Sequence, residues 1–387
     1  MSIQQKLKDK LNQREASGSL RKLSVADKNK IDFCSNDYLG LARNPALHQR
    51  IQEAYTNVSG IHNGATGSRL ISGNSEHHLS LEKKLASLFL SESALLFNSG
   101  YAANTAILSA IPQKGDTIIY DEYIHASLKE GARLSFANRF AFHHNDLHDL
   151  ERKMQKATGD IFVVAESVYS MDGDFAPLLE LVTLCEKYGA NLIWDEAHST
   201  GVWGRGGNGI ACMENLHKRL FARVYTFGKG PGVHGGCIAG SEVLIQYLIN
   251  FARPLIYTTA LPLHSLVSLE ESFRFQQDRT DLQTSLHARI QFFRKTLTDH
   301  PSLETHFIKS QSPIQAVKIG GNQRTRMVAT QLQHLGFDVR PILSPTVKEG
   351  EERLRICLHL YNTEQEIEAL IEELSAVLQN VPVSVEK

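Results

Sequence analysis

Between residues 94 and 227 the chain alternates short, unbroken apolar runs with longer stretches of helical spacing. The runs are 94–97, 117–121, 161–166, 191–195 and 224–227. They are continuously apolar instead of alternating, so each reads as a strand buried on both faces, as in a parallel sheet covered by crossover helices. Polar residues cluster just after every run: Asn98-Ser-Gly-Tyr101, His125, Ser170-Met-Asp-Gly-Asp174, His198 and Lys229. In open α/β sheets a ligand sits beyond the carboxyl ends of the strands, so the pattern predicts one shared site there.

Outside this region the spacing predicts further elements. Ile3, Leu7 and Leu11 recur at helical intervals, giving a short amphipathic helix, and 15–30 is a polar connector. A helix is expected over 78–89, with Leu79, Leu81, Leu85 and Leu88 mostly on one side, and one long helix over 266–297 linking two lobes. Beyond it come a strand at 314–319, a helix over 324–335 stopped by Gly336, and a strand at 337–340. The run 353–358 alternates, placing Arg353 and Arg355 on one face and Leu354, Ile356 and Leu358 on the other. The last helix opens at a capping box, Thr363 with Glu366. The fold class is therefore α/β: an N-terminal segment over 1–45, a large domain over 46–270 with a mostly parallel sheet, and a smaller α/β C-terminal domain over 271–387.

Composition narrows the partners more than the fold. Of 387 residues, 42% are hydrophobic and 21% charged, with a formal net charge of −1. That balance gives nucleic acid and anionic membrane no electrostatic footprint. Cys34, Cys185, Cys212, Cys237 and Cys357 are odd in number and scattered. They read as reduced thiols in a cytoplasmic protein. The first twenty residues lack the continuous apolar core of a signal peptide, and no run approaches the length of a membrane span.

The chemistry centres on Lys229, set between Gly228 and Gly230 after a strand. Alone it would be a solvated loop lysine. Upstream, however, an apolar run ends in Asp195, with His198 three positions on. A lysine amine can form a Schiff base with a carbonyl cofactor, and a carboxylate that keeps a pyridinium nitrogen protonated makes pyridoxal 5′-phosphate (PLP) an electron sink. Rival chemistries lack parts. Zinc held by His198 and Asp195 has no further ligands at convincing spacing. A Ser-His-Asp hydrolase lacks its G-x-S-x-G elbow, and G-x-G-x-x-G never follows a strand. For PLP, backbone N–H groups in 98–104 can hold the phosphate at a helix N-terminus, and His125 can stack on the ring. The loop 62–73, with Arg69 and Ser72 among glycines, is either flexible or shaped around an anion or a partner chain.

The motifs Asn36-Asp-Tyr-Leu-Gly-Leu41, Gly64-Ala-Thr-Gly-Ser-Arg-Leu-Ile-Ser-Gly73, Gly100-Tyr-Ala-Ala-Asn104, His125-Ala-Ser127, Ser170-Met-Asp-Gly-Asp174, Asp195-Glu-Ala-His198, Thr226-Phe-Gly-Lys-Gly230 and Arg353-Leu-Arg355 occur together and in order. In this the chain resembles the α-oxoamine synthases over roughly residues 30–375. The resemblance implies the PLP-dependent aminotransferase fold of type I, with a seven-stranded sheet, and a homodimer with a shared active site. It implies that Lys229 holds PLP and moves the Cα proton, that Asp195 binds the pyridine nitrogen, and that His198 meets the phenolic oxygen with Ser170 nearby. His125 would stack on the ring. Gly100, Tyr101 and Thr226 would hold the phosphate, helped by Thr258 or Thr259 from the partner subunit. Asn36 and Arg355 would touch the amino acid, the arginine by a bidentate grip on its carboxylate. Arg21 and Thr346 would border the acyl substrate.

The implied reaction is a decarboxylating condensation of an amino acid with an acyl thioester, here L-alanine with pimeloyl-CoA or pimeloyl carrier protein, a step of biotin biosynthesis. Glycine C-acetyltransferase and serine palmitoyltransferase chemistry are the alternatives within the family, and a non-catalytic PLP-binding subunit the alternative outside it. The chain departs from the family's pattern in a short segment between Arg21 and Asn36, in Ser344-Pro-Thr-Val-Lys348, and at His62 and His234, where small residues are usual.

Overall fold

The computed structural model describes residues 1–23, 25–58 and 63–381, so His62 lies outside the described residues. The chain divides into a larger unit, Asn36–Ser170 with Phe175–Thr284, and a smaller one, Met1–Ser35 with Met171–Asp174 and Ser285–Lys387.

The larger unit is built on a seven-stranded sheet. Its strands lie in the spatial order Ser93–Phe97, Gly236–Gly240, Ala222–Thr226, Asn191–Asp195, Ile161–Glu166, Thr117–Asp121 and Asn138–Phe142. The apolar runs read from the sequence form its interior: Val163 and Val164 of one strand, Ile193 and Trp194 of the next and Val224 beyond them are wholly inaccessible to solvent. Gly236–Gly240 runs antiparallel to both its neighbours, and the other pairings are parallel.

Two strands have no apolar run to announce them. Asn138–Phe142 is an edge strand, exposed at every residue but Phe142, and it opens with the polar Asn138 and the charged Arg139 of a solvated edge. Gly236–Gly240 is glycine-bounded for a steric reason: a Cβ at Gly236 would come within 2.7 Å of Gly100 N and the Ser99 carbonyl carbon. The register pairs Glu166 with Asp195, Asp195 with Val224, and Thr226 with Gly236. The polar ends of these strands therefore come together at one edge of the sheet.

Helices cover the sheet. Glu76–Leu88 and Leu263–Asp278 bury Leu81, Leu85, Leu266, Leu269 and Phe273 against Phe89, Leu96, Tyr225 and Phe227. The single helix expected over 266–297 is two helices, Leu263–Asp278 and Asp281–Thr298. The break falls where Arg279 leaves helical geometry and its guanidinium grips Asp281 at 2.8 and 2.7 Å. That places a carboxylate in the first turn of the second helix, where it complements the dipole.

In the smaller unit an antiparallel three-stranded sheet is ordered Arg340–Ile342, Arg353–Cys357, Ile314–Lys318. The expected face alternation in 353–357 does not leave the arginines exposed: Arg353 and Arg355 are both buried, and Arg353 forms an ion pair with Asp172. Burying a guanidinium requires such a partner, since an unpaired charge in the interior is expensive. The last helix, Glu364–Asn380, has the capping box: Thr363 accepts from Glu366 N, and Glu366 accepts from Thr363 N. The first helix, Ile3–Ala16, forms as expected with Ser2 as its cap, and Ile3, Leu7 and Leu11 are exposed.

Candidate active site

The carboxyl ends of the central strands enclose a pocket of about 240 Å³. Lys229 enters it from the turn that follows Ala222–Thr226. Its glycine neighbours allow a close approach: a Cβ on Gly230 would run into the Thr200 carbonyl. Lys229 Nζ lies 3.0 Å from His198 Nε2. On the other side of that ring, His198 Nδ1 is 2.7 Å from the hydroxyl of Tyr38, which donates to Asn36 Oδ1 at 3.1 Å.

Asp195 closes the floor. It is almost wholly buried, and its carboxylate is fixed by two donors, Asn104 Nδ2 at 2.7 Å and the Ala197 amide at 2.7 Å. Asn104 also donates to Ser127 Oγ at 3.1 Å, and Ser127 Oγ lies 2.7 Å from His125 Nδ1. Because the Ser127 amide points at the same nitrogen, Nδ1 of His125 is the ring's acceptor. Burial, and then the charge of Lys229, push the His125 pKa down, so its ring is neutral near pH 7. Its backbone N–H is bound by Glu166, a fully buried carboxyl whose pKa is pushed up to about 8 by burial and by Asp195.

The third wall is an anion cradle. Ser99 caps the eleven-residue helix Gly100–Ala110, so the first amides of that helix open into the pocket beside the Thr226 side chain. A Cβ at Gly100 would collide with the Thr226 hydroxyl, with Thr226 Cβ at 3.1 Å and Cγ2 at 3.3 Å. Helix N-termini of this kind bind phosphate through backbone N–H groups and the dipole.

The pocket thus gathers Lys229, Asp195, His198, His125, Gly100, Tyr101 and Thr226, with Asn36 joined through Tyr38. Ser170 is buried and stands outside the lining. Thr258 is half-buried and Thr259 exposed, and the Thr259 carbonyl accepts from Asn98 Nδ2 at 2.8 Å. Arg21, Thr346 and Arg355 belong to the smaller unit, where Arg21 Nη2 donates to Thr346 Oγ1 at 3.2 Å and Arg355 Nη1 lies 2.7 Å from Cys357 Sγ. Arg69 is engaged within its own unit: it forks onto Glu82 at 2.8 and 2.9 Å, and Glu82 also accepts from the Leu96 amide at 2.9 Å.

Glu166, Asn104, Ser127 and Tyr38 are contributions that sequence reasoning missed. Asn104 lay in the helix read only for its backbone, and Tyr38 in a turn read only for Asn36. Glu166 had one available signal, a carboxylate ending an apolar strand just as Asp195 does. Among the described residues no group of His, Cys, Asp and Glu could hold a metal ion, and no helix is long and apolar enough to cross a membrane.

A buried carboxylate, a lysine amine, a neutral imidazole face and a phosphate cradle, all at the ends of a mostly parallel sheet, fit PLP part for part. These features define a PLP-dependent enzyme of the α/β type. The model of the class I and II aminotransferases matches residues 28–374. The chain belongs to that family and, within it, to the α-oxoamine synthases. It is 39% identical to the 8-amino-7-oxononanoate synthase of Emericella nidulans, with 98% of this chain and 97% of that protein covered. The crystal structure of 8-amino-7-oxononanoate synthase from Francisella tularensis is similar with a TM-score of 0.78 and 30% identity, covering 92% of this chain and 99% of that one. A serine palmitoyltransferase from S. paucimobilis with bound PLP and myriocin has a TM-score of 0.89 at 25% identity, covering 99% of this chain and 100% of that one.

Proposed function

We infer that the chain condenses L-alanine with a pimeloyl thioester, releasing the thiol and carbon dioxide to give 8-amino-7-oxononanoate. The observation that carries this reading is identity of 39% to an 8-amino-7-oxononanoate synthase along nearly the whole chain, joined to an intact pocket of Lys229, Asp195, His198 and His125. The serine palmitoyltransferase superposes with the higher TM-score at the lower identity, so shape alone does not choose the acyl chain.

Bound in the pocket, PLP supplies an electron sink for negative charge at the amino acid Cα. The chain's own groups do the rest. Lys229 Nζ would hold the cofactor and, as a free amine beside a bound amino acid, would take the Cα proton. Asp195, oriented by Asn104 and the Ala197 amide, keeps the ring nitrogen protonated. His125 offers its neutral ring as a stacking face, and His198 meets the phenolic oxygen, with Ser170 close by. The Gly100 and Tyr101 amides and the Thr226 hydroxyl hold the phosphate, joined by Thr258 or Thr259 of the partner subunit in a homodimer. Asn36 and Arg355 bind the amino acid, while Arg21 and Thr346 border the acyl chain. A bond would form between Cα and the acyl carbonyl carbon as the C–S bond breaks and the thiolate leaves; the bond from Cα to the carboxylate would then break to release carbon dioxide, and the proton held by Lys229 would return to Cα.

The test is purified protein with alanine, glycine or serine against pimeloyl, acetyl and palmitoyl thioesters, scoring released thiol. Preference for alanine with pimeloyl is expected. Faster turnover of serine with palmitoyl, or glycine with acetyl, would move the chain to another branch.

A further inference from the structure

Tyr38 is fully buried and stands in a turn that is itself pinned: the Asp37 carboxylate accepts from the Ala42 amide at 3.0 Å and from Arg43 Nε at 3.3 Å. Its hydroxyl is 2.7 Å from His198 Nδ1 and 3.1 Å from Asn36 Oδ1. A phenol carries one hydrogen, so it can donate to only one of these two atoms. An amide oxygen can only accept. With the hydrogen on the Asn36 side, the phenol oxygen must accept from Nδ1–H of His198. That leaves Nε2 with its lone pair, and Lys229 Nζ, 3.0 Å away, donates to it. The order Lys229 to His198 to Tyr38 to Asn36 is then a chain of donors all pointing one way.

The opposite order is also available. If Nε2 must donate, as it must toward an oxygen anion in the pocket, a neutral imidazole gives up the hydrogen on Nδ1. Tyr38 then turns its hydrogen to Nδ1, and Asn36 Oδ1 loses that donor.

We propose that Tyr38 is a positioning residue whose single hydroxyl hydrogen sets the tautomer of His198 and couples it to the orientation of the Asn36 amide. The proposal rests on the PLP reading for its purpose: a phenolic oxygen in the cofactor site would draw the hydrogen to the His198 side, and Asn36 Oδ1, proposed to face the amino acid, would give up its bond from Tyr38. The hydrogen-bond logic itself needs no cofactor, and this separates the two ideas experimentally.

The experiment is nitrogen-15 NMR of apoprotein labelled at histidine, at pH 8, with His198→Gln used to assign the signals. Wild type is expected to show His198 protonated on Nδ1. Asn36→Ala removes the competing acceptor, so Tyr38 should donate to Nδ1 and the Nδ1–H to Nε2–H ratio should fall about tenfold, the weight of one ordinary hydrogen bond. Tyr38→Phe should abolish the response: Asn36→Ala made in that background leaves the ratio unchanged. Melting temperature checks each variant, and if Tyr38→Phe does not fold, Asn36→Ala against wild type decides alone. Wild type protonated on Nε2, or a ratio indifferent to Asn36→Ala, would overturn the proposal. Failure of wild type to develop a visible absorption band with added PLP would instead overturn the cofactor reading and leave the tautomer result standing.

Discussion

Gly100→Ala is the sharpest test of the cradle. The added methyl group would overlap the Thr226 hydroxyl, and turning the Thr226 side chain gives no relief, because its Cβ and Cγ2 are already 3.1 and 3.3 Å from the new atom. The backbone cannot retreat freely either. The Gly236 side of Gly100 is packed so closely that even a Cβ on Gly236 would sit 2.7 Å from Gly100 N. Relief must come from displacing the first turn of the helix or the Thr226 strand, and both carry donors proposed for the phosphate. Hydrogen bonds to a charged group contribute about 1.5–3 kcal/mol each, so losing one alignment should weaken PLP binding by about 10- to 150-fold. The assay is titration of apoprotein with PLP, followed by the visible absorption band, with thermal unfolding to confirm that Gly100→Ala is folded. A folded variant that binds PLP within about threefold of wild type would refute the cradle, since the overlap would then have been absorbed without moving any donor.

Borohydride reduction of the PLP-loaded protein followed by peptide mapping should label Lys229, and a label on another lysine would remove it from its role. Asp195→Asn should still bind PLP, since the amide can keep the Asn104 or Ala197 contact, but turnover should fall on the order of 100-fold or more; near-normal kcat would contradict the assignment. Glu166 has a folded pKa of about 8 against 4.5 for the ordinary group, so the native protein holds a proton that the unfolded chain releases across that range. Its contribution to stability is complete below about pH 4.5 and is lost as pH rises toward 8, with a slope of at most about 1.4 kcal/mol per pH unit. Denaturant unfolding of the apoprotein at several pH values should show that decline flattened in Glu166→Gln, and an unchanged slope would show that Glu166 does not hold the proton.

The strands legible in the sequence were those whose burial is nearly uniform. Strands such as Asn191–Asp195 are apolar because both faces are covered, and three of them end in residues of the pocket, Glu166, Asp195 and Thr226. The strand Asn138–Phe142 was not legible because its exposed edge calls for the same residues as a loop. Gly236–Gly240 was hidden for the opposite reason: its small residues answer to a neighbour, Gly100, far away in sequence. The long helix failed at Arg279, which leaves helical geometry and pairs with Asp281 although the helical pattern in the sequence runs on. At the site, motifs pointed to Lys229, Asp195, His125 and His198, and one pocket gathers all four. Residues that orient them, such as Asn104 and Tyr38, are ordinary in sequence and become visible only through the atoms they touch.

Arg69 and Glu82 bear on association as well as on folding. Glu82 takes both arms of the guanidinium and the Leu96 amide, which ties the turn containing Leu70 and Ile71 to a strand of the central sheet. Leu70 and Ile71 are nevertheless strongly exposed. Two apolar side chains are thus held outward on a backbone whose shape is settled before anything meets it. A surface that receives them gains their burial with little loss of chain freedom. Cutting the fork with Glu82→Gln would return that freedom to the isolated chain, so the same contacts would form more slowly and hold less tightly even with every apolar atom still in place.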